Sequence, residues 1–186
     1  MDRRQRKTRE AIFAAFSRLL TKKSYGKITV QDIVDEADVG RTTFYAHFET
    51  KDDLLRELCR VLFDHIMDCA RDASHTHGLY VDPEKPESVF CHLLQHLEED
   101  DYHVLEILSG ESSDLFLRYF KDSLSELILS EYAENFEKTA LPVDFLVNHI
   151  SGSFVEMVLW WIKGGMKQTP QELDRYFLAV ILPVLG

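Results

Sequence analysis

At 186 residues and 45% hydrophobic, the chain is long enough for one well-buried core, or a core with a small satellite domain. No apolar run reaches the roughly 18 residues that read as a membrane span, and the polar, basic start has no signal-peptide core. The net charge of −11 argues against a nucleic-acid partner only until it is divided along the chain.

Residues 1–53 hold 11 basic and 9 acidic side chains, whereas residues 54–186 hold 10 and 23. Residues 3–27 alone carry nine Lys/Arg against one Glu. Binding to phosphate needs only local positive potential, and an acidic remainder helps point the basic end at DNA. Three cysteines, Cys59, Cys69 and Cys91, without C-x-x-C spacing predict reduced, mostly buried thiols and a cytoplasmic location.

The whole chain reads as helix. Ile12, Phe13, Phe16, Leu19 and Leu20 make a helical apolar face, closed by Lys22, Lys23 and a glycine stop at Gly26. Thr29 with Asp32 predicts a capping-box start, followed by Val30, Ile33, Val34 and Ala37 on one face. Asp38 and Val39 form a turn, since Asp is among the few residues that tolerate a left-handed backbone. A short helix spans Arg41–Ala46. Thr50 with Asp53 repeats the capping box, and Leu54, Leu55, Leu58, Val61, Leu62 and Ile66 carry a long helix to about Arg71.

Residues 73–87, with Gly78, Pro83 and Pro86, form the clearest break. Beyond it the pattern predicts helices near 86–98, 101–109, 113–138, 142–166 and 170–184. Pro142 and Pro170 sit where a first helical turn tolerates proline, and Gly164–Gly165 ends one helix before T-P-Q-E of 169–172 starts the next.

Residues 29–51 have the order of a helix-turn-helix reader: bracing helix, turn, groove helix. Arg41 can fork onto guanine O6/N7, while Thr42 and Thr43 can bond bases or touch a thymine methyl. Thr29, Tyr45, His47 and Lys51 have the donors and reach for phosphate oxygens. Phe44 and Phe48 form the inward side. An ordinary helical hairpin in an all-α core is the plain alternative, made less fitting by the polar residues gathered around two phenylalanines.

The run A-D-V-G-R-T-T-F-Y-A-H-F-E-T-K-D-D-L-L resembles the DNA-binding signature of TetR-family transcriptional regulators, roughly A-G-V-S-x-x-T-x-Y-x-[HY]-F-x-[ST/N]-K-x-x-L. The likeness covers about residues 5–65 strongly and the remainder as a compatible helical plan. Arg41, Thr42 and Thr43 fall where that family reads bases, and Thr29, Tyr45, His47 and Lys51 where it grips phosphates. Two residues depart from the pattern. Asp38 replaces the usual Gly, and Gly40 replaces a Ser-like cap of the groove helix at a cost of a few tenths of a kcal/mol.

The resemblance implies an all-α protein with a three-helix reader at residues 1–50, linked by a helix over 51–71 to a dimerisation and effector domain within 51–186. It implies a homodimeric repressor released from a palindromic DNA operator by a small-molecule effector. The alternative is an activator or architectural dimer whose second domain binds a protein. Phe145, His149, Phe154, Trp161, Phe177, Val180 and Val184 are the candidate dimer surface, with a buried monomer core as the rival reading. Phe90, His92, His96, Tyr102, Phe116, Tyr119, Phe120, Met157 and Trp160 are the candidate effector pocket, with plain core as theirs. His92 and His96 share a helical face near Glu99, Asp100 and His103, but no complete metal motif is present. No catalytic residue, metal or cofactor is expected, because no phosphate loop, nucleophile elbow or paired-carboxylate motif occurs.

Overall fold

The computed structural model describes residues 3–71, 88–99, 107–108 and 113–185. The break over 73–87 and most of the helix expected at 101–109 lie outside the described residues, as do Tyr102 and His103. Among the described residues all regular structure is helical.

Helix α1 (Arg3–Lys22) buries Ile12, Ala15, Phe16, Leu19 and Leu20, the face its periodicity predicts. It does not end on a glycine. The chain instead enters a 3₁₀ turn at Tyr25–Lys27, with Gly26 inside it, and this turns the Tyr25 ring inward, edge-on to Phe16 at 6.3 Å. Helix α2 (Val30–Glu36) starts at a complete capping box: Asp32 N donates to Thr29 Oγ1 and Thr29 N donates to Asp32 Oδ2. It stops because Asp38 adopts φ 53°, letting Asp38 N reach Asp35 O and Val39 N reach Val34 O in a Schellman arrangement. Helix α3 (Arg41–Tyr45) has Gly40 as its N-cap, with no side-chain cap bond.

Helix α4 (Lys51–Arg71) opens on the second capping box, Thr50 with Asp53. Its Leu54, Leu55 and Leu58 belong to the same continuous apolar core as Phe16, Ile33, Phe44 and Phe48. Further along, Leu62, Phe63 and Ile66 enter the C-terminal part, where Phe63 meets the Phe120 ring at 5.1 Å. One helix thus supplies core to both ends of the molecule.

The C-terminal part comprises α5 (Val89–Glu99), α6 (Ser113–Glu131), a short α7 (Ala133–Phe136), α8 (Val143–Lys163) and α9 (Pro170–Leu185). Helix α4 packs on α5 and α6, α6 on α8, and α9 on both α5 and α8. Every residue of α5 from Val89 to Leu97 is buried. An aromatic hub joins the layers: the Phe90 ring lies 4.8 Å from Phe177, 5.4 Å from Phe154 and 6.0 Å from Tyr132. The single helix expected over 113–138 is interrupted at Tyr132 (φ −108°, ψ 20°), which lays its ring on Phe90.

By length and composition α8 is apolar enough to cross a membrane, but it packs on α6 and α9 and buries seven of its side chains. It ends in a second Schellman arrangement, with Gly165 at φ 76° where a side chain would be strained. Thr169 and Glu172 then form a third capping box that starts α9, with Pro170 at its first position.

Phe154 is fully buried at the centre of the hub. Phe154→Ala is expected to lower the unfolding free energy by about 3–5 kcal/mol, measured by denaturant titration. A loss below about 1 kcal/mol would contradict the hub as a packing centre.

Candidate nucleic-acid interface

A five-residue helix cannot hold itself together, so its position is set by what it buries. In α3 that is Phe44, fully buried and 6.0 Å from the ring of Phe48, which closes the pocket behind it. Because 100° separates successive helical residues, burying Phe44 turns Thr42 and Tyr45 outward and leaves Thr43 half-exposed, while Arg41 is exposed at the first position of the helix. Tyr45, 55% exposed, stands edge-on to Phe44 at 5.4 Å. His47 follows, half-buried, its ring tilted against Phe48.

Arg41 is held in place by a relay across α2. Asp35 Oδ1 accepts from Gln31 Nε2 at 2.6 Å, and Gln31 Oε1 accepts from Arg41 Nε at 2.7 Å. Nε is one of five N–H donors on the guanidinium, so the fork is oriented without being used up. Gln31 escapes a reading of the sequence, although its i, i+4 spacing to Asp35 is visible there.

Two expected phosphate contacts are committed to the protein itself. The Thr29 hydroxyl donates to Asp32 Oδ2 at 2.8 Å while accepting from Asp32 N. Lys51 points inward: its Nζ donates to the carbonyls of Tyr25 (3.0 Å) and Ile28 (2.8 Å) and lies 4.3 Å from the centre of the Tyr25 ring. Burial pushes the Lys51 pKa down. The Tyr25 hydroxyl in turn donates to Asp52 Oδ1. Lys51 and Asp52 therefore clamp the turn between α1 and α2 onto the start of α4. A lone Tyr between Ser and Gly carries no sequence signal for this.

Ion pairs brace the reader from α1. Lys23 reaches Asp32 at 2.8 Å and Arg18 reaches Glu36 at 2.8 Å. The Lys23 ammonium, then the Thr29 backbone N–H and hydroxyl, hold the Asp32 carboxyl at about 2. Arg9 lies 4.6 Å over the Phe48 ring and bonds Glu57 at 2.5 Å. Arg60 and then Arg9 hold the Glu57 carboxyl below its usual range, against the opposing effect of burial. On the outward side of α4, Arg56 Nη2 donates to the Tyr119 hydroxyl of α6 at 3.3 Å, and its guanidinium lies 5.0 Å from that ring's centre.

The expected effector residues do not gather around one opening. Phe90, Phe116 and Phe120 are fully buried; His92 and His96 are buried with their rings 4.8 Å apart, and Gln95, unanticipated, is buried between them. Tyr119 faces Arg56, and Met157 is half-buried. Trp160 departs from expectation: it is 53% exposed, on the side of α8 turned away from the core. An open groove of about 630 Å³ runs elsewhere, between Lys121, Ser125 and Leu129 of α6 and Val143, Val147 and Asn148 of α8. Burial and the charge of Asp122 raise the Cys59 thiol pKa, and Cys91 is buried too; the Cys69 side chain lies outside the described ones.

The candidate dimer residues divide in two. Phe154, Trp161 and Phe177, expected on the dimer surface, lie instead inside the protomer, with Trp161 Nε1 donating to Gln168 O at 2.9 Å. Helical phase is the reason, since residues 147, 150, 154, 158 and 161 form the inward stripe of α8. Phe145 (56% exposed), with His149 stacked on it, and Val180 (62%) point outward, and Val184 is half-buried. Tyr176, Leu182 and Trp160 are also exposed on these two helices.

A short, polar-faced helix mounted on two buried phenylalanines behind a bracing helix defines a helix-turn-helix DNA-binding regulator. The comparisons agree. Residues 12–58 match the family model described as bacterial regulatory proteins, tetR family, and residues 84–182 match that of a transcriptional regulator C-terminal region. The chain belongs to the TetR family of transcriptional regulators. A TetR transcriptional regulator from Streptococcus agalactiae 2603V is 35% identical, with 97% of this chain and 96% of that one covered and a TM-score of 0.72. YxbF of Bacillus subtilis (strain 168), an uncharacterized HTH-type transcriptional regulator, is 38% identical over 71 residues, 36% of this chain and 19% of that relative's length. The transcriptional regulator FadR from Bacillus subtilis, in complex with stearoyl-CoA, shares the fold at 19% identity and a TM-score of 0.57, covering 92% of this chain and 96% of that one.

Asp32 ties α2 to α1 only while ionised. Its folded-state pKa of about 2 lies below the ordinary 3.8, so its contribution is present above pH 4 and lost as pH falls toward 2. Asp32→Asn should therefore lower the denaturation midpoint at pH 6, with the gap to wild type closing by pH 2. A gap unchanged across that range would remove the assigned role.

Proposed function

We propose that this DNA-binding regulator is a homodimeric repressor that holds a palindromic operator and leaves it when a small-molecule effector binds the C-terminal part. The exposed row Arg41, Thr42 and Tyr45, backed by buried Phe44, carries the DNA half of this reading. Arg41, Thr42 and Thr43 would read base edges, and Tyr45 and His47 would hold phosphates. Thr29 and Lys51 would act chiefly by fixing α2 and α4 rather than by touching DNA.

The dimer reading is supported by the exposure of four large apolar side chains on the last two helices: Phe145, Trp160, Tyr176 and Val180. Two such helix pairs would form a four-helix bundle, setting the two α3 helices about 34–36 Å apart. The effector reading is supported by FadR, a relative in fold whose structure holds stearoyl-CoA, and by the polar groups His92, Gln95 and His96 within an otherwise apolar interior. An effector that favours a conformer with differently spaced α3 helices would weaken DNA binding by its differential affinity. The strut for that motion would be α4, which starts at Thr50. A second reading, an activator or architectural dimer that binds a protein partner, is favoured by the fully buried state of Phe90, Phe116 and Phe120. We assign no catalytic role, metal or cofactor, and we place the protein in the cytoplasm with its DNA.

Arg41→Ala with Tyr45→Phe should abolish sequence-specific DNA binding while leaving helicity and assembly unchanged; unaltered gel shifts would refute the reader assignment. Val180→Asp should convert a dimer to monomers at micromolar concentration in analytical ultracentrifugation. A wild-type protein that sediments as a monomer would remove the two-fold mechanism.

A further inference from the structure

Helix α1 outruns the core it serves. Its first fully buried residue is Ile12, yet the helix begins at Arg3, so at 1.5 Å per residue roughly 13 Å of it projects beyond that anchor. The projecting turns read R-R-Q-R-K-T-R-E, and Arg3, Arg4, Arg6 and Lys7 are all exposed. Arg6 pairs with Glu10 at 3.6 Å; no acid is paired with Arg3, Arg4 or Lys7 among the described residues.

The placing of these cations works against the helix that carries them. Arg3 and Lys7 are i, i+4 neighbours, Arg3 and Arg6 are i, i+3, and so are Arg4 and Lys7. Like charges at these spacings destabilise a helix. No core contact offsets that repulsion, whereas a polyanion would remove it.

The direction of the projection is fixed by Arg9. Its guanidinium stacks over Phe48, just after the recognition helix, and bonds Glu57 toward the middle of α4. The basic turns therefore leave the body from the Phe48 side of the reader. Meanwhile residues 54–186 carry 23 acidic and 10 basic side chains, so the positive potential is confined to this end.

We propose that Arg3, Arg4 and Lys7 form a second DNA contact, outside the helix-turn-helix, that grips backbone phosphates flanking the bases read by α3. The contact is electrostatic and sequence-independent: it adds affinity and register but no base preference. This inference rests on α3 being the DNA reader, and the experiment separates the two.

The full-length protein would select a duplex from a random-sequence pool. Binding to that duplex and to an unrelated duplex of equal length would then be followed against salt. For Arg3→Ala/Arg4→Ala/Lys7→Ala, the slope of log K on log salt should become shallower by about two to three, at about 0.9 per phosphate lost. Affinity should fall by the same factor on both duplexes, so that their ratio is kept. Amides of residues 5–9 in the wild type should gain hydrogen-exchange protection on the selected duplex. An unchanged slope, or a slope preserved while the affinity ratio collapses, overturns the proposal. Arg41→Ala is the parallel arm. It should collapse the ratio with little change of slope, and if it leaves the ratio intact, the reader assignment fails whatever the α1 variant does. Circular dichroism of each variant verifies the fold, and trimming the wild type's selected duplex at both ends should reproduce the shallower slope without any substitution.

Discussion

The structure depends on the burial of Phe44. Five residues of helix bring too few hydrogen bonds to offset the ordering of their backbone, so α3 exists only because that ring is enclosed. Phe44 shares one buried core with Ile12 and Phe16 of α1, Ile33 of α2, and Leu54, Leu55 and Leu58 of α4. Phe48 seals the remaining side under the Arg9 guanidinium. Once the ring is fixed, helical geometry has no freedom left about where Arg41, Thr42 and Tyr45 point. The DNA-facing chemistry is a consequence of the packing on the opposite side.

The same logic explains why polar residues around the reader divide into two kinds. Those on α3 are left outward by the buried ring. Those at the edges hold the frame: Thr29 and Asp32 cap α2, and Lys51 and Asp52 grip Tyr25. Lys51 donates to the carbonyls of Tyr25 and of Ile28, the residue that caps the 3₁₀ turn, and so holds that turn against α4. On the proposed reading, a residue of this kind would affect DNA affinity through the position of its neighbours.

Helix α4 ties the reader to the C-terminal layers. Its first turn is fixed to the reader by the Thr50–Asp53 cap and by Lys51, its middle to α1 by Glu57, and its far end to α6 by the Phe63–Phe120 contact. Arg56, resting on Tyr119, adds an exposed bridge that strengthens or loosens at little energetic cost. On the proposed reading, a strut with core on both ends would transmit a rotation of the C-terminal layers to α3. A flexible linker would absorb it.

How much the sequence disclosed follows from how far apart the interacting residues lie. The capping boxes at Thr29, Thr50 and Thr169, the left-handed turn at Asp38 and the glycine stop at Gly165 are interactions within six residues, and all were legible. So was the burial of Phe44 and Phe48, because a helix-turn-helix repeats its spacing. What sequence left open was every choice between partners distant along the chain. Lys51 had the reach for a phosphate, but two carbonyls more than twenty residues earlier claimed it. Gly26 looked like a stop, but burial of Tyr25 against Phe16 made a 3₁₀ turn there. In α8 both faces are apolar, so periodicity could not say which enters the core. Packing with α6 and α9 took Phe154 and Trp161 inward and left Phe145 and Trp160 outside. Sequence by itself determined the capped starts and the left-handed turns at Asp38 and Gly165, because those are local hydrogen bonds. Tertiary structure alone decided which face and which partner, because those depend on competition among surfaces that meet only when the chain is folded.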